Sequence, residues 1–260
     1  MTERDRTLEA FNRLLDIMDE LREKCPWDRE QTMESLRPLT IEETYELSEA
    51  ILDRSDRDVV KELGDILLHI VFYARIGAEQ RTFTLREVVQ KLSDKLVYRH
   101  PHVFGERKVK DADEVVENWE ALKMKEKDGN KSVLSGVPSG LPALIKAYRM
   151  QDKVRAVGFD WEEREQVWDK VEEELLEFKE AQKEGDAAHI EEEFGDLLFS
   201  LVNAARLYGI NPETALELTN RKFKQRFNYL EQETIKKGRS LKDMSLQEME
   251  AIWEEAKSIG

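Results

Sequence analysis

The chain has 260 residues, with 56 Asp and Glu against 41 Lys and Arg and a net charge of −15, which excludes binding of polymeric nucleic acid through a general basic surface. Its 40% hydrophobic residues suffice for a core, and only 12 glycines and 6 prolines favour helix. A single cysteine, Cys25, excludes an intrachain disulfide framework, no apolar run approaches membrane-spanning length, and Met1-Thr2-Glu3-Arg4 does not read as a secretory signal, so a cytoplasmic protein with no membrane partner is expected.

Leu8, Phe11, Leu14, Leu15, Met18 and Leu21 recur at helical period and predict a helix over 7–24, which Cys25-Pro26-Trp27-Asp28 ends. A helical pair follows, roughly 40–53 and 57–79. Thr84 is placed to cap a helix reaching about Arg99, and His100-Pro101-His102 breaks it, so both histidines read as loop. A further helix is predicted over 111–127. Gly129, Gly136, Pro138 and Gly140, with three serines between, mark a linker at 129–141. Helices are then predicted near 142–156, 164–183, 187–208, 212–236 and 245–258, and nothing shows the alternation of a strand. The expected fold is all-α, two helical bundles in tandem: an N-terminal domain at 1–128, the linker, and a C-terminal domain at 142–260. Bundles with such long acidic hairpins would close against a partner, which predicts a homodimer.

One carboxylate constellation occurs twice. Glu43, Glu46, Glu62 and Asp65 return as Glu174, Glu177, Glu193 and Asp196, each 131 positions later. The flanks repeat as well, Glu62-Leu63-Gly64-Asp65 matching Glu193-Phe194-Gly195-Asp196. A self-match at fixed offset marks a duplicated structural unit. Residues three apart share a helix face, so each pair presents two carboxylates side by side. The outer and inner pairs of each copy share a midpoint, residue 54 in the first and Gly185 in the second. Small polar residues there predict an antiparallel hairpin whose four carboxylates converge across the helix–helix seam.

Such convergence beside apolar runs (Ile66-Leu67-Leu68, Leu197-Leu198-Phe199) calls for a counter-ion. The ordinary alternative is a solvated acidic face, which suffices for Glu191 and Glu192 but not for the matched midpoints. Hard oxygen donors suit Mg²⁺, with Mn²⁺ as a substitute, rather than Zn²⁺ or copper. Di-iron bundles use Glu-x-x-His pairs, and none of His69, His100, His102 or His189 stands three residues after a Glu. Mg²⁺ usually shares its coordination with substrate phosphates, so phosphate ester chemistry is indicated.

Other residues are weaker signals. Lys222 and Arg226 lie one helical turn apart and are matched in the first half by Lys95 and Arg99; a phosphate clamp and a solvated pair are both open. Lys170 precedes Glu174 by one turn, whereas the equivalent first-half position is Leu39, so the second set is expected to be the better equipped. Trp253 and Trp119 could stack on a base or belong to the core. His69 reads as a core histidine.

These residues resemble the MazG family of nucleoside triphosphate pyrophosphohydrolases in its two-domain bacterial form, over essentially the whole chain. The resemblance rests on Cys25-Pro26-Trp27-Asp28, Gln31-Thr32-x-x-Ser35-Leu36, the two carboxylate sets, Arg99-His100-Pro101-His102-Val103-Phe104-Gly105, Val137-Pro138-x-x-Leu141-Pro142-Ala143-Leu144 and Val157-Gly158-Phe159-Asp160-Trp161. It implies a helical, usually dimeric enzyme that splits nucleoside triphosphates into monophosphate and pyrophosphate with Mg²⁺. It also implies Glu174, Glu177, Glu193 and Asp196 as metal ligands and catalytic residues. Lys170, His189 through Glu192, Lys222, Arg226 and Trp253 would surround the nucleotide, with Glu43, Glu46, Glu62 and Asp65 as a second metal set. Members often carry Lys where His189 stands and His where Met33 stands. The expected chemistry is attack of an activated water on the α-phosphorus. A non-catalytic helical module that binds nucleotides or a partner protein is the alternative of another class.

Overall fold

Helix starts follow the capping chemistry written into the chain. Thr2, Thr32 and Thr84 each accept the backbone N–H three residues on, and Asp5, Ser35 and Glu87 return a bond to the cap's own N–H. The computed structural model describes residues 1–106, 108–111, 114–115, 118–119, 122, 132–236 and 238–259; among them every regular element is helical and no strand occurs. No helix among them is long and apolar enough to cross a membrane. The backbone groups into two compact units, Met1–Lys108 and Val109–Gly260.

The first unit contains α1 (Glu3–Lys24), α2 (Pro26–Glu30), α3 (Met33–Leu52), α4 (Asp56–Glu79), α5 (Leu85–Arg99) and α6 (Pro101–Phe104). Its core is Met18, Leu36, Val71, Phe72 and Ile76, with Met33 and Leu39 packed against it. The Arg22 guanidinium ties three elements together. It donates to Glu79 at 2.5 and 3.0 Å and to the Gln31 carbonyl at 3.1 Å, and it lies over the Phe72 ring.

Two expectations are corrected here. The first hairpin helix begins at Met33 rather than near residue 40, because the Thr32 capping box starts it and Pro38 is accommodated inside it. Glu34 and Pro38 are exposed, so solvent can replace the backbone hydrogen bond that the proline lacks. His102 is not in loop: Pro101 occupies the first position of α6, where its missing N–H costs nothing.

The second unit contains α7 (Ala143–Arg155), α8 (Val167–Glu184), α9 (Ala187–Leu207), α10 (Pro212–Lys236) and α11 (Leu246–Ile259), with 3-10 turns at Leu134–Gly136, Arg164–Gln166 and Leu241–Asp243. α8 and α9 pack as a hairpin, α7 lies against α9 and α10, and α11 lies along α10. Val167, Ala181, Val202, Leu230 and Ile252 are buried between them. The helix expected over 111–127 falls largely outside the described residues. So do residues 129–131 of the expected linker, while Ser132 onward groups with the second unit.

Both hairpin turns use a left-handed residue at the shared midpoint. Arg54 has φ 54° and Gly185 has φ 81°. The next residue, Ser55 or Asp186, then caps the return helix through its side chain. The duplication thus extends to turn geometry, although only the second turn uses the residue suited to it.

Candidate metal centres and nucleotide site

The α3–α4 hairpin brings one carboxylate oxygen each of Glu43, Glu62 and Asp65 within 4.8 Å of one another. Glu62 is buried, and its Oε2 has no hydrogen-bond partner. Desolvation, then the charges of Asp65, Glu46 and Glu62, hold the Glu43 carboxyl above its ordinary pKa. Glu46, the fourth acid, is 3.6 Å from Lys61 Nζ, which also lies 2.8 Å from Glu62 and 3.8 Å from Asp65.

The α8–α9 hairpin gathers Glu174, Glu177 and Glu193 in the same way. Glu174 is buried and 2.6 Å from Lys170 Nζ, which reaches Glu173 at 2.9 Å. Desolvation, then Glu174 and Glu193, push the Glu177 carboxyl up. His189 bridges Glu184 at 3.2 Å and Glu193 at 3.1 Å. Desolvation disfavours its charged form, but the bonds and charges of Glu184 and Glu193 outweigh this and raise the imidazole pKa. Asp196, the fourth acid, lines a cavity of 590 Å³ together with Glu174 and Lys170.

Three of the four expected carboxylates therefore converge in each copy, and the fourth stands one step aside. The donors are all carboxylate oxygens; desolvation and then the neighbouring charges raise Glu43 in the first set and Glu177 in the second, and in the first set the buried Glu62 Oε2 lacks any partner. That set fits a hard divalent cation.

The sequence comparisons meet the geometry at the same hairpins. The MazG nucleotide pyrophosphohydrolase domain matches residues 31–104 and again 162–230, spanning α3–α4 and α8–α9. The chain is 45% identical over 250 residues to the nucleoside triphosphate pyrophosphohydrolase/pyrophosphatase MazG of Thermotoga maritima, with 95% of each chain covered. The chain belongs to the MazG family. It is also 40% identical over 257 residues to the nucleoside triphosphate pyrophosphohydrolase of Escherichia coli K12, covering 96% of this chain and 98% of that one. Identity to the uncharacterized protein YabN of Bacillus subtilis is 46% over 251 residues, 95% of this chain and 51% of YabN.

Not every residue that the MazG resemblance placed around the nucleotide lies beside the cluster. Glu192 is exposed on α9. Lys222 is exposed and Arg226 half-buried on α10; neither makes an ion pair with a cluster carboxylate among the described residues. Trp253 lines a separate groove between α10 and α11, its ring 5.1 Å from that of Phe223. In the first unit His69 is buried and edge-on to Tyr73 at 6.5 Å, but its Nδ1 has no partner. Desolvation lowers its pKa, as its burial in the core requires.

Sequence reasoning missed Lys61. Comparing Lys170 with Leu39 suggested that the first set lacks a cation, and the structure corrects this: the cation comes from the other helix of the hairpin. The available signal was the i, i+4 spacing of Lys61 and Asp65. Position 61 corresponds to Glu192 in the second copy, so the two sets place their lysines on opposite sides of the seam.

Proposed function

We propose that the protein hydrolyses nucleoside triphosphates to monophosphate and pyrophosphate with Mg²⁺, Mn²⁺ serving as a substitute. The observation that carries this is the convergence of Glu174, Glu177 and Glu193 beside a cavity that also holds Asp196 and Lys170, in a chain of the MazG family. The two similar nucleoside triphosphate pyrophosphohydrolases, aligned over nearly their full lengths, support the same substrate class.

Glu174, Glu177, Glu193 and Asp196 are the residues that would hold Mg²⁺, with the first-unit acids as a second set. When bound, the ion supplies positive charge against the phosphate oxygens and lowers the pKa of a coordinated water. His189 fixes Glu193 by holding its Oε1. Lys170 sets Glu174 and carries positive charge to the cavity wall, where the α- and β-phosphates would lie. Water attacks the α-phosphorus, a cluster carboxylate takes its proton, and the α–β P–O bond breaks as pyrophosphate leaves. Lys222 and Arg226 on α10 are the cations proposed to neutralise the departing pyrophosphate.

Large apolar side chains exposed on the hairpins support a homodimer: Leu176 on α8 and Phe194, Leu198 and Leu201 on α9 are each more than two-fifths exposed. A freely diffusing nucleotide substrate and the single cysteine support a cytoplasmic setting and a housekeeping role in the nucleotide pool. The net charge of −15 argues against a polymeric nucleic acid partner.

The test is a ³¹P NMR assay across a panel of nucleoside triphosphates. Monophosphate and pyrophosphate are expected, with loss of turnover on chelation and recovery with Mg²⁺ or Mn²⁺. Diphosphate and orthophosphate would place the attack at the γ-phosphorus and overturn the reading.

A further inference from the structure

The 131-residue offset that relates the two carboxylate sets also relates the helix faces beside them, and there the two units differ. In the second unit Lys170, Ser200 and Asn203 line the 590 Å³ cavity next to Glu174 and Asp196. The matching positions in the first unit are Leu39, His69 and Phe72. Leu39 packs against the core, Phe72 belongs to it at 2% exposure, and His69 is buried. Phe72 for Asn203 and His69 for Ser200 add volume, and Leu39 for Lys170 removes a cation. A nucleoside needs concave space beside its ion. Next to Glu43 and Asp65 that place is taken by packed core.

The ion-binding chemistry is nevertheless kept. Glu43 on α3 and Glu62 and Asp65 on α4 converge to within 4.8 Å. Glu62 is only 5% exposed. Lys61 takes its Oε1 at 2.8 Å, and its Oε2 is buried with no hydrogen-bond partner among the described residues. A buried carboxylate oxygen without a partner carries a large desolvation penalty. Glu43, Glu46, Glu62 and Asp65 together outnumber the one ammonium group of Lys61 that pairs among them. Their like charges push α3 and α4 apart while the apolar seam draws the helices together. A divalent cation bridging Glu43 to Glu62 and Asp65 removes that repulsion and gives the cluster a counter-charge.

We infer that the first carboxylate set is a structural ion site: a divalent cation there staples α3 to α4 and takes no nucleotide. The duplicated motif then serves two purposes, substrate chemistry in the second unit and hairpin stability in the first. The exclusion of nucleotide rests on the hydrolase reading of the second unit, whereas the stapling role rests on first-unit geometry alone. An ion bound by the folded state only raises the unfolding midpoint as its concentration rises.

The test uses the full chain carrying Glu174→Gln/Glu193→Gln, which silences the second set, with Mn²⁺ as the probe. Thermal unfolding followed by circular dichroism is expected to give a midpoint several degrees higher in Mn²⁺ at about 100 times its Kd than in chelator. Adding Glu43→Gln/Asp65→Asn is expected to abolish that shift without lowering the ion-free midpoint, because repulsion is removed while shape is kept. Calorimetric titration with non-hydrolysable α,β-methylene ATP in Mn²⁺ is expected to give the same result with and without Glu43→Gln/Asp65→Asn. A midpoint that Mn²⁺ leaves unchanged, or a shift that survives Glu43→Gln/Asp65→Asn, overturns the stapling role. Nucleotide binding that disappears on adding Glu43→Gln/Asp65→Asn overturns the exclusion of nucleotide. If the unaltered protein also binds no analogue, the hydrolase reading fails, and a midpoint shift that depends on Glu43 and Asp65 still supports the staple.

Discussion

Lys61 Nζ lies 2.8 Å from Glu62 Oε1, inside an acidic cluster whose other members Glu46 and Asp65 it also reaches. Lys170 in the second copy touches one cluster acid, Glu174, and otherwise holds the outlying Glu173. An ammonium group that pairs with three of the acids competes with a divalent cation for more of their oxygens than one that pairs with a single acid. The first set is therefore expected to hold its ion more weakly. Calorimetric titration with Mn²⁺ in a Glu174→Gln/Glu193→Gln background isolates that set, and Lys61→Met is expected to tighten it several-fold. Unchanged affinity in Lys61→Met would show that the lysine yields at no cost.

On the same asymmetry, the second unit is expected to supply most of the turnover. Glu174→Gln/Asp196→Asn is expected to lower kcat/KM by roughly 100-fold or more, since it removes charge at the reacting centre while conserving shape. Glu43→Gln/Asp65→Asn is expected to leave most activity in place. Assays of both variants on one triphosphate panel, with circular dichroism as the folding control, decide between them. The reverse ranking would make the first unit the main catalyst.

Asp160 gives the chain an acid-sensitive tie. Burial would raise its pKa, but hydrogen bonds from Arg206 and the Trp161 N–H, together with the Arg206 charge, hold it below the ordinary 3.8. A carboxylate whose folded pKa is depressed adds stability above its unfolded pKa and loses it as pH falls through the folded value. Asp160→Asn is expected to cost about 2 kcal/mol near neutral pH, the scale of a charge-assisted hydrogen bond. The gap from the unaltered protein should narrow below about pH 4. Urea unfolding at several pH values measures it; a gap that does not change with pH would contradict the ionic account.

Leu198 and Leu201 expose 45% and 41% of their surfaces one turn apart on α9. If this stripe closes against a second copy, Leu198→Asp buries a charge at the interface and shifts the protein toward monomer. Light scattering coupled to size exclusion is expected to show the mass halved at low micromolar concentration. A dimer of unchanged mass would put the interface elsewhere.

Much of this was written locally in the chain. Thr84 starts α5 and Gly185 turns α8 into α9, because caps and left-handed turns depend on the residues at the position and their immediate neighbours. The carboxylate sets were legible for the same reason: spacing of three fixes a shared helix face, and a common midpoint fixes the hairpin register. Thr32 moved the start of α3 past a proline that reads as a breaker, since a capping box and solvent exposure outweighed the missing N–H. What sequence did not reveal was which side chains meet across packed helices. Lys61 reaches over the α3–α4 seam to Glu46, and Gln151 is oriented by a carbonyl of α9, 48 residues away. Spacing along a helix says which face a group occupies. Only tertiary packing supplies the partner that neutralises a charge or fixes an amide.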